Sequence, residues 1–282
     1  MKWLKKHVST IILVIVFLIG LSLLLYPSVS DYWNSFHQSR IISSYTEHVT
    51  EMEHSDYEEM WKEAVEYNQK FTDRAGHWKL SEKEKEEYES KLNIGGTGVM
   101  GYIEIPSIDC TLPLYHGTNE GVLQIAVGHL EGSSLPVGGE STHCVLSSHR
   151  GLPSAKLFTD LDRMQVGDLF MLHILDETLT YEVDQILIVL PNEMDALEIE
   201  EGKDLCTLVT CTPYGVNTHR LLVRGHRVEN IEERHIRVIS EARQIEPLAI
   251  APVFAVPLLV LLLIWLLFHT RKKKVRGEVH EK

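Results

Sequence analysis

Thr207-Leu208-Val209-Thr210-Cys211-Thr212-Pro213-Tyr214-Gly215-Val216-Asn217-Thr218-His219-Arg220 reads as an apolar strand, a tight turn and the opening of a second strand. The β-branched run before Cys211 suits a pleated backbone. Pro213 and Gly215 end it, because proline lacks a donor and glycine tolerates a left-handed turn. Cys211 is therefore expected at a strand end near solvent, and Arg220 returns to it across the turn if the two strands pair antiparallel. An accessible thiol beside a permanent cation is the setting of a reactive cysteine. With a histidine elsewhere in the chain, it is the minimum equipment for thiol-based acyl transfer.

The strand texture extends back from this stretch. Short β-branched runs punctuated by turn residues are expected as strands at Met100 to Ile105, Cys110 to Tyr115, Cys144 to Ser148, Leu169 to Leu175, Thr180 to Leu190, Leu205 to Cys211 and Thr218 to Val228. At least seven strands in so short a block predict a closed barrel or a sandwich. Leu152 to Met164 is the main helical candidate inside it. Before the block, residues 31 to 71 read as an amphipathic helical arm. Ile42, Tyr45, Val49 and Met52 recur at helical steps, as do Tyr57, Trp61, Ala64 and Asn68, and the opposite face is acidic. Ser81 followed by Glu84 predicts a capping box opening a short helix. Asn93-Ile94-Gly95-Gly96-Thr97-Gly98 breaks that helix and marks the domain boundary.

Two segments are apolar and long enough to cross a bilayer, which takes about 20 residues: 8–26 and 248–270. Lys2, Lys5 and Lys6 precede the first, and Arg271, Lys272, Lys273, Lys274 and Arg276 follow the second. Basic flanks stay inside, so both termini are expected in the cytoplasm and residues 27–247 outside the cell membrane. Ser28-Val29-Ser30 is a poor cleavage site, so the first segment reads as an uncleaved anchor. The chain holds 27 Lys and Arg against 40 Asp and Glu. Nine basic and two acidic residues lie in the two cytoplasmic ends, leaving 18 basic and 38 acidic residues outside. Such a surface repels nucleic acid, so no nucleic-acid partner is expected.

The four cysteines, Cys110, Cys144, Cys206 and Cys211, all lie in the exported part. Cys206 and Cys211 share a strand, which puts their Cα atoms about 16 Å apart and on opposite faces. A disulfide needs about 7 Å or less. With Cys211 a free thiol, the other three are expected to be buried small apolar residues. Among 15 histidines, His149 ends an apolar strand at a turn, where it can project into a cleft as a proton donor or acceptor. His129, His143, His219 and His226 compete with it on spacing alone. No pair has the spacing of a metal site, and neither a metal nor another cofactor is expected.

Several motifs together resemble the sortase family, especially its class C, pilin-polymerising branch. They are the stretch Thr207 to Arg227, Gly128-His129-Leu130-Glu131-Gly132-Ser133-Ser134-Leu135-Pro136-Val137-Gly138-Gly139-Glu140-Ser141, Ser148-His149-Arg150-Gly151-Leu152-Pro153-Ser154-Ala155-Lys156-Leu157-Phe158, and Gly101-Tyr102-Ile103-Glu104-Ile105-Pro106. The resemblance covers residues 95 to 228, and two anchors suit the class C arrangement. It implies a mainly β fold, an eight-stranded sortase β-barrel with an N-terminal helical arm and two flanking transmembrane helices. It implies a cysteine transpeptidase acting on Leu-Pro-x-Thr-Gly sorting signals. In that reading Cys211 is the nucleophile, His149 the general acid and base, and Arg220 holds the carbonyl oxygen or the signal's backbone. The incoming amine in class C is a pilin lysine, so the implied partners are pilins or surface proteins with C-terminal sorting signals. The competing readings are a sortase that anchors surface proteins to a peptidoglycan precursor and a non-catalytic pilus-assembly scaffold.

Many class C sortases cover the cleft with a lid carrying an Asp-Pro-aromatic triplet. Here residues 72 to 80 occupy that place with Asp73, His77 and Trp78 but without the proline. The expected organisation is a cytoplasmic start (1–7), an anchor (8–26), a helical arm and possible lid (27–94), the barrel (95–230), an extracellular linker (231–247), a second span (248–270) and a basic cytoplasmic tail (271–282).

Overall fold

The computed structural model describes residues 2–70 and 78–230, together with residues 257, 259, 261 and 264. The described residues fall into two units that divide between Tyr32 and Trp33. In the first, α1 (Lys2–Glu51) begins and carries the apolar segment 8–26, with side chains such as Leu23 and Val16 exposed. Among the described residues, this helix is the one long and apolar enough to cross a bilayer. The predicted span 248–270 lies outside the described residues except for Pro257, Leu259, Leu261 and Ile264, which are helical. The linker 231–247 and the tail 271–282 also lie outside them.

The second unit is built on a closed eight-stranded barrel, ordered β1-β2-β3-β4-β7-β8-β6-β5. The strands are β1 (Val99–Ile105), β2 (Cys110–His116), β3 (Val127–His129), β4 (Thr142–Ser147), β5 (Leu169–Ile174), β6 (Glu177–Val189), β7 (Asp204–Thr212) and β8 (His219–Val228). Seven match the expected runs. The eighth, β3, is three residues long and falls in the Gly128-His129 stretch. Neighbours pair antiparallel except β2 with β3 and β4 with β7, which run parallel. Closure leaves no open sheet edge.

Alternation along the strands decides what fills the interior. In β1, Ile103 and Ile105 are fully buried while Tyr102 and Glu104 point outward. Each such aliphatic side chain contributes about 1.5–3 kcal/mol by leaving water. Gly101 cannot carry a side chain, because a Cβ there would stand 2.3 Å from the carbonyl oxygen of His173 on β5. Cys110, Cys144 and Cys206 are buried in this core, and all four cysteines are free thiols, as the sequence predicted. Burial pushes the Cys110 thiol up to about 12, so it stays protonated and behaves as a small apolar residue.

The arm is not one helix. It breaks at Met52 and Glu53 and resumes as α2 (His54–Gln69). Ile41, rather than Ile42, joins Val49 and Met52 against the core, because the face is set by Tyr45, four residues further on. α3 (Glu82–Ser90) opens with the predicted capping box of Ser81 and Glu84.

One buried polar side chain pins each helix to the barrel. The Tyr45 hydroxyl donates to the Met100 carbonyl at 2.9 Å and accepts the Leu175 N–H at 2.7 Å. The Asn68 amide donates to the Leu135 carbonyl and accepts the Leu135 N–H. The Tyr88 hydroxyl accepts the Gly117 N–H and meets Nδ1 of His129. Tyr45→Phe leaves two backbone groups of the barrel unpaired in a dry interior. It should cost about 1–3 kcal/mol, read as a lower urea midpoint with an unchanged slope.

The helix expected over Leu152 to Met164 does not form. Leu152 bridges Ala155 as a minimal hairpin, Leu157 has φ +44°, and only Leu161–Arg163 makes a short 3-10 turn. A left-handed Leu157 cannot continue a helix. The segment instead buries Ala155, Leu157, Phe158, Leu161 and Met164 one by one, and the Phe158 N–H donates to the His149 carbonyl at 3.1 Å.

Candidate active site

The site lies on the outer face of three adjacent strands. Along β4, β7 and β8, Cys144, Leu146, Cys206, Leu208, Leu221 and Val223 belong to the barrel core. The alternating set, Val145, Val209 and Leu222, forms a separate apolar cluster with Leu197. That second cluster floors a cleft of 270 Å³ lined also by His149, Cys211 and Arg220, with Pro191, Glu193 and Met194 in one wall.

Registration brings the three candidates into one row. β7 and β8 pair Cys211 directly with Arg220, which sets their Cβ atoms about 4.5–5.5 Å apart. β4 and β7 pair Ser147 with Val209. His149 and Cys211 each lie two residues further along parallel strands, so both arrive at the same rim of the barrel. The chain beyond β4 is held there by four bonds. The Ser148 N–H donates to the Val209 carbonyl at 3.2 Å, and the Ser148 hydroxyl to the Ala126 carbonyl at 2.8 Å. The Thr210 hydroxyl donates to the Ser148 carbonyl at 2.8 Å, and Phe158 holds the His149 carbonyl. Thr210, buried beside Cys211, thus ties the thiol's strand to the imidazole's loop.

The three side chains differ in freedom. Cys211 is partly exposed, unlike the other cysteines. The His149 side chain is partly exposed, with Nε2 3.7 Å from Oε1 of Glu120 on α4 (Glu120–Leu123). The Arg220 guanidinium donates to the carbonyls of Asn217 and His219 in its own turn, at 3.3 and 3.1 Å. Arg150 braces the rim. It ion-pairs with Asp162, donates to the Thr212 hydroxyl at 3.4 Å and stands 5.9 Å from the Tyr214 ring centroid. Gly151 is required there. Its φ is +75°, and a Cβ would come within 2.9 Å of the Tyr214 ring.

Two of the rival histidines are structural. His129 is buried between Tyr88 and the Ser134 carbonyl. His143 is buried between the Glu198 carbonyl and the Thr207 hydroxyl, and burial holds its imidazole below the usual range, as it does for His116. The sign follows from linkage. The unfolded chain takes up these protons near pH 6.5 while the folded one resists, so stability is present above that pH and is lost on acidification. The urea midpoint should therefore fall between about pH 7 and pH 5, and fall less in His143→Gln. His219 contacts the Thr218 hydroxyl at the turn.

Asp73 and His77 lie outside the described residues. Trp78 packs against the outer cluster of Val145, Leu197, Val209 and Leu222, and its indole N–H donates to Glu198 at 3.1 Å. Sequence reasoning missed Glu120, which sits on a one-turn helix too short to show a period. It also missed Thr210 and Ser148, whose role depends on a parallel pairing across 62 residues of chain. Among the described residues, no three His, Cys, Asp or Glu side chains are grouped to hold a metal ion.

Residues 103–228 match the model of the sortase domain. The structure is similar to that of sortase C1 from Streptococcus agalactiae, at 57% identity and a TM-score of 0.67, covering 68% of this chain and all of that one. It is also similar to sortase C of Streptococcus pneumoniae, a structure bearing on catalysis and pilin substrate specificity in that enzyme. There the identity is 43% and the TM-score 0.60, covering 68% of this chain and 97% of that one. Among curated relatives, Sortase D of Bacillus subtilis is 30% identical over 131 residues, which span 45% of this chain and 63% of that protein.

Proposed function

This chain belongs to the sortase family, cysteine transpeptidases, in its class C branch, and on that footing we propose that it cuts Leu-Pro-x-Thr-Gly sorting signals and joins them to a lysine of another pilin. The observation that carries this reading is the row of His149, Cys211 and Arg220 across β4, β7 and β8, opening on an apolar cleft. The apolar floor suits the leucine and proline of such a signal, and the polar row lies at its end.

In the proposed reaction the Cys211 sulfur attacks the threonine carbonyl carbon. Arg220 turns from its own carbonyls to the developing oxyanion, where a fixed cation stabilises the transition state more than the ground state. The carbon–nitrogen bond to glycine then breaks, and His149 gives the leaving amine its proton. A lysine amine next attacks the thioester, its proton passes to His149, and the carbon–sulfur bond breaks to free Cys211. Residues 8–26 are proposed to tether the enzyme, with the barrel on the extracellular side. Support for the pilin acceptor comes from kinship with the pneumococcal enzyme.

The test is to incubate the full chain in detergent with a pilin that carries both the signal and candidate lysines. Covalent ladders support the reading, and hydroxylamine should divert the thioester to a hydroxamate. Adducts to a peptidoglycan precursor without ladders would replace the pilin acceptor with a cell-wall one.

Trp78 is proposed to act as a cover, since it packs against the apolar cluster that floors the cleft. Trp78→Ala should speed alkylation of Cys211 by a factor of about 2–10, as expected when a weakly held local closure is removed. An unchanged labelling rate would remove that role.

A further inference from the structure

We infer that Glu120 is the docking carboxylate for the amine that enters the reaction, and that it selects a positively charged lysine side chain over uncharged amines. The inference deepens the proposed transfer reaction and rests on it. Glu120 meets His149, His149 arrives at the rim beside Cys211, and Cys211 pairs with Arg220. The order along the rim is thus carboxylate, imidazole, thiol, guanidinium. The thiol has a cationic neighbour on one side and an anionic end on the other.

That asymmetry gives each side a role. The guanidinium suits a carbonyl oxygen that gains negative charge. The imidazole side receives both amines, because the group that protonates the leaving amine is the one that later takes a proton from the entering amine. A lysine side chain arrives as an ammonium at neutral pH, and on that side it meets a carboxylate.

Glu120 is positioned to bind something outside the fold. Its side chain is 72% exposed. It opens α4, whose backbone is held by the Asn119 side chain accepting the Val122 N–H at 3.1 Å. Oε1 accepts from the Gln124 amide at 3.0 Å and lies 3.7 Å from Nε2 of His149. Oε2 has no partner among the described residues. Contacts so exposed contribute little to stability, so folding does not account for the carboxylate's place. The rim's cations leave its charge standing, since Arg150 pairs with Asp162 and Arg220 bonds its own turn. The cleft's other carboxylate, Glu193, is engaged in its own loop, where Oε2 accepts the Leu190 N–H at 2.9 Å.

The gap also fits. Two hydrogen bonds of about 2.9 Å let one nitrogen reach both partners across it. The docked ammonium gives one proton to solvent and attacks the thioester carbon as the amine. It gives a second proton to His149 as the carbon–sulfur bond breaks, and the electron pair leaves with the Cys211 sulfur.

The test gives the full chain in detergent a sorting-signal peptide with two competing acceptors near neutral pH: Nα-acetyl-lysine amide, which is charged, and hydroxylamine, which is not. The ratio of lysine adduct to hydroxamate should fall by a factor of about 1.5–5 in Glu120→Gln, the range for an exposed ion pair, and further in Glu120→Lys. Glu120→Asp should keep most of the wild-type ratio. Added salt should lower the ratio in the wild type and leave it unchanged in Glu120→Gln. If both products fall together and the ratio holds, Glu120 acts only through His149 and the inference is overturned. An unchanged ratio with unchanged yields, or hydroxamate without lysine adduct in the wild type, overturns it too and leaves the cysteine chemistry standing. No hydroxamate from the wild type brings down the proposed reaction and this inference together.

Discussion

Cys211→Ala should yield a folded domain that no longer cleaves a sorting-signal peptide. The expected loss is on the order of 10⁴-fold or more, because an attacking sulfur has no substitute in the row and the remaining groups act only through it. Stability should move by less than about 1 kcal/mol. Cys211 lies at the end of β7 on the outer face, outside the barrel core that holds Cys110, Cys144 and Cys206. Hydroxamate release in hydroxylamine measures the first quantity, and thermal unfolding the second. Turnover close to wild type would sink the nucleophile assignment. The neighbouring buried thiols provide a control, since Cys110→Ala should keep its activity.

Arg220→Ala should lower peptide cleavage by about 10²–10³-fold, the range for removing one oxyanion donor, while the domain stays folded. The fold does not depend on this side chain, whose bonds go to two carbonyls of its own turn. Arg220→Lys should recover little, because a point charge on a flexible stem does not reproduce the planar fork. The loss should fall on kcat more than on KM if the contact strengthens in the transition state. A variant that unfolds instead would mark Arg220 as a structural residue. Full recovery by lysine would mark its role as general electrostatic attraction.

Much of the barrel was legible because a strand's side chains alternate and its ends carry turn residues. Seven of eight strands announce themselves in this way. Three-residue β3 is too short to alternate, and only its pairing with β2 and β4 defines it. The segment 152–164 misled because its buried residues fall at helical steps while Leu157 is left-handed, a property of the backbone that no periodicity records. The break at Met52 and Glu53 falls at the five-residue step from Met52 to Tyr57, where the helical spacing lapses between two sets that each keep it. Cys211 and Arg220 could be placed together from sequence because a single turn joins them. His149 could not be placed beside them by spacing, since its partner strand is remote in the chain. Its position depends on parallel pairing of β4 with β7, and only the family resemblance singled it out from 15 histidines.

The parallel pairing has a consequence for how such enzymes diversify. The proposed reacting groups are carried at strand ends whose positions are fixed by backbone ladders, whereas Pro191, Glu193, Met194 and Leu197 reach the cleft from the excursion between β6 and β7. If the proposed reaction holds, reactivity and selectivity reside on separable pieces of polypeptide. Grafting that excursion from one enzyme of this fold into another is a route to exchanging the preferred peptide while the bond-making apparatus is inherited unchanged.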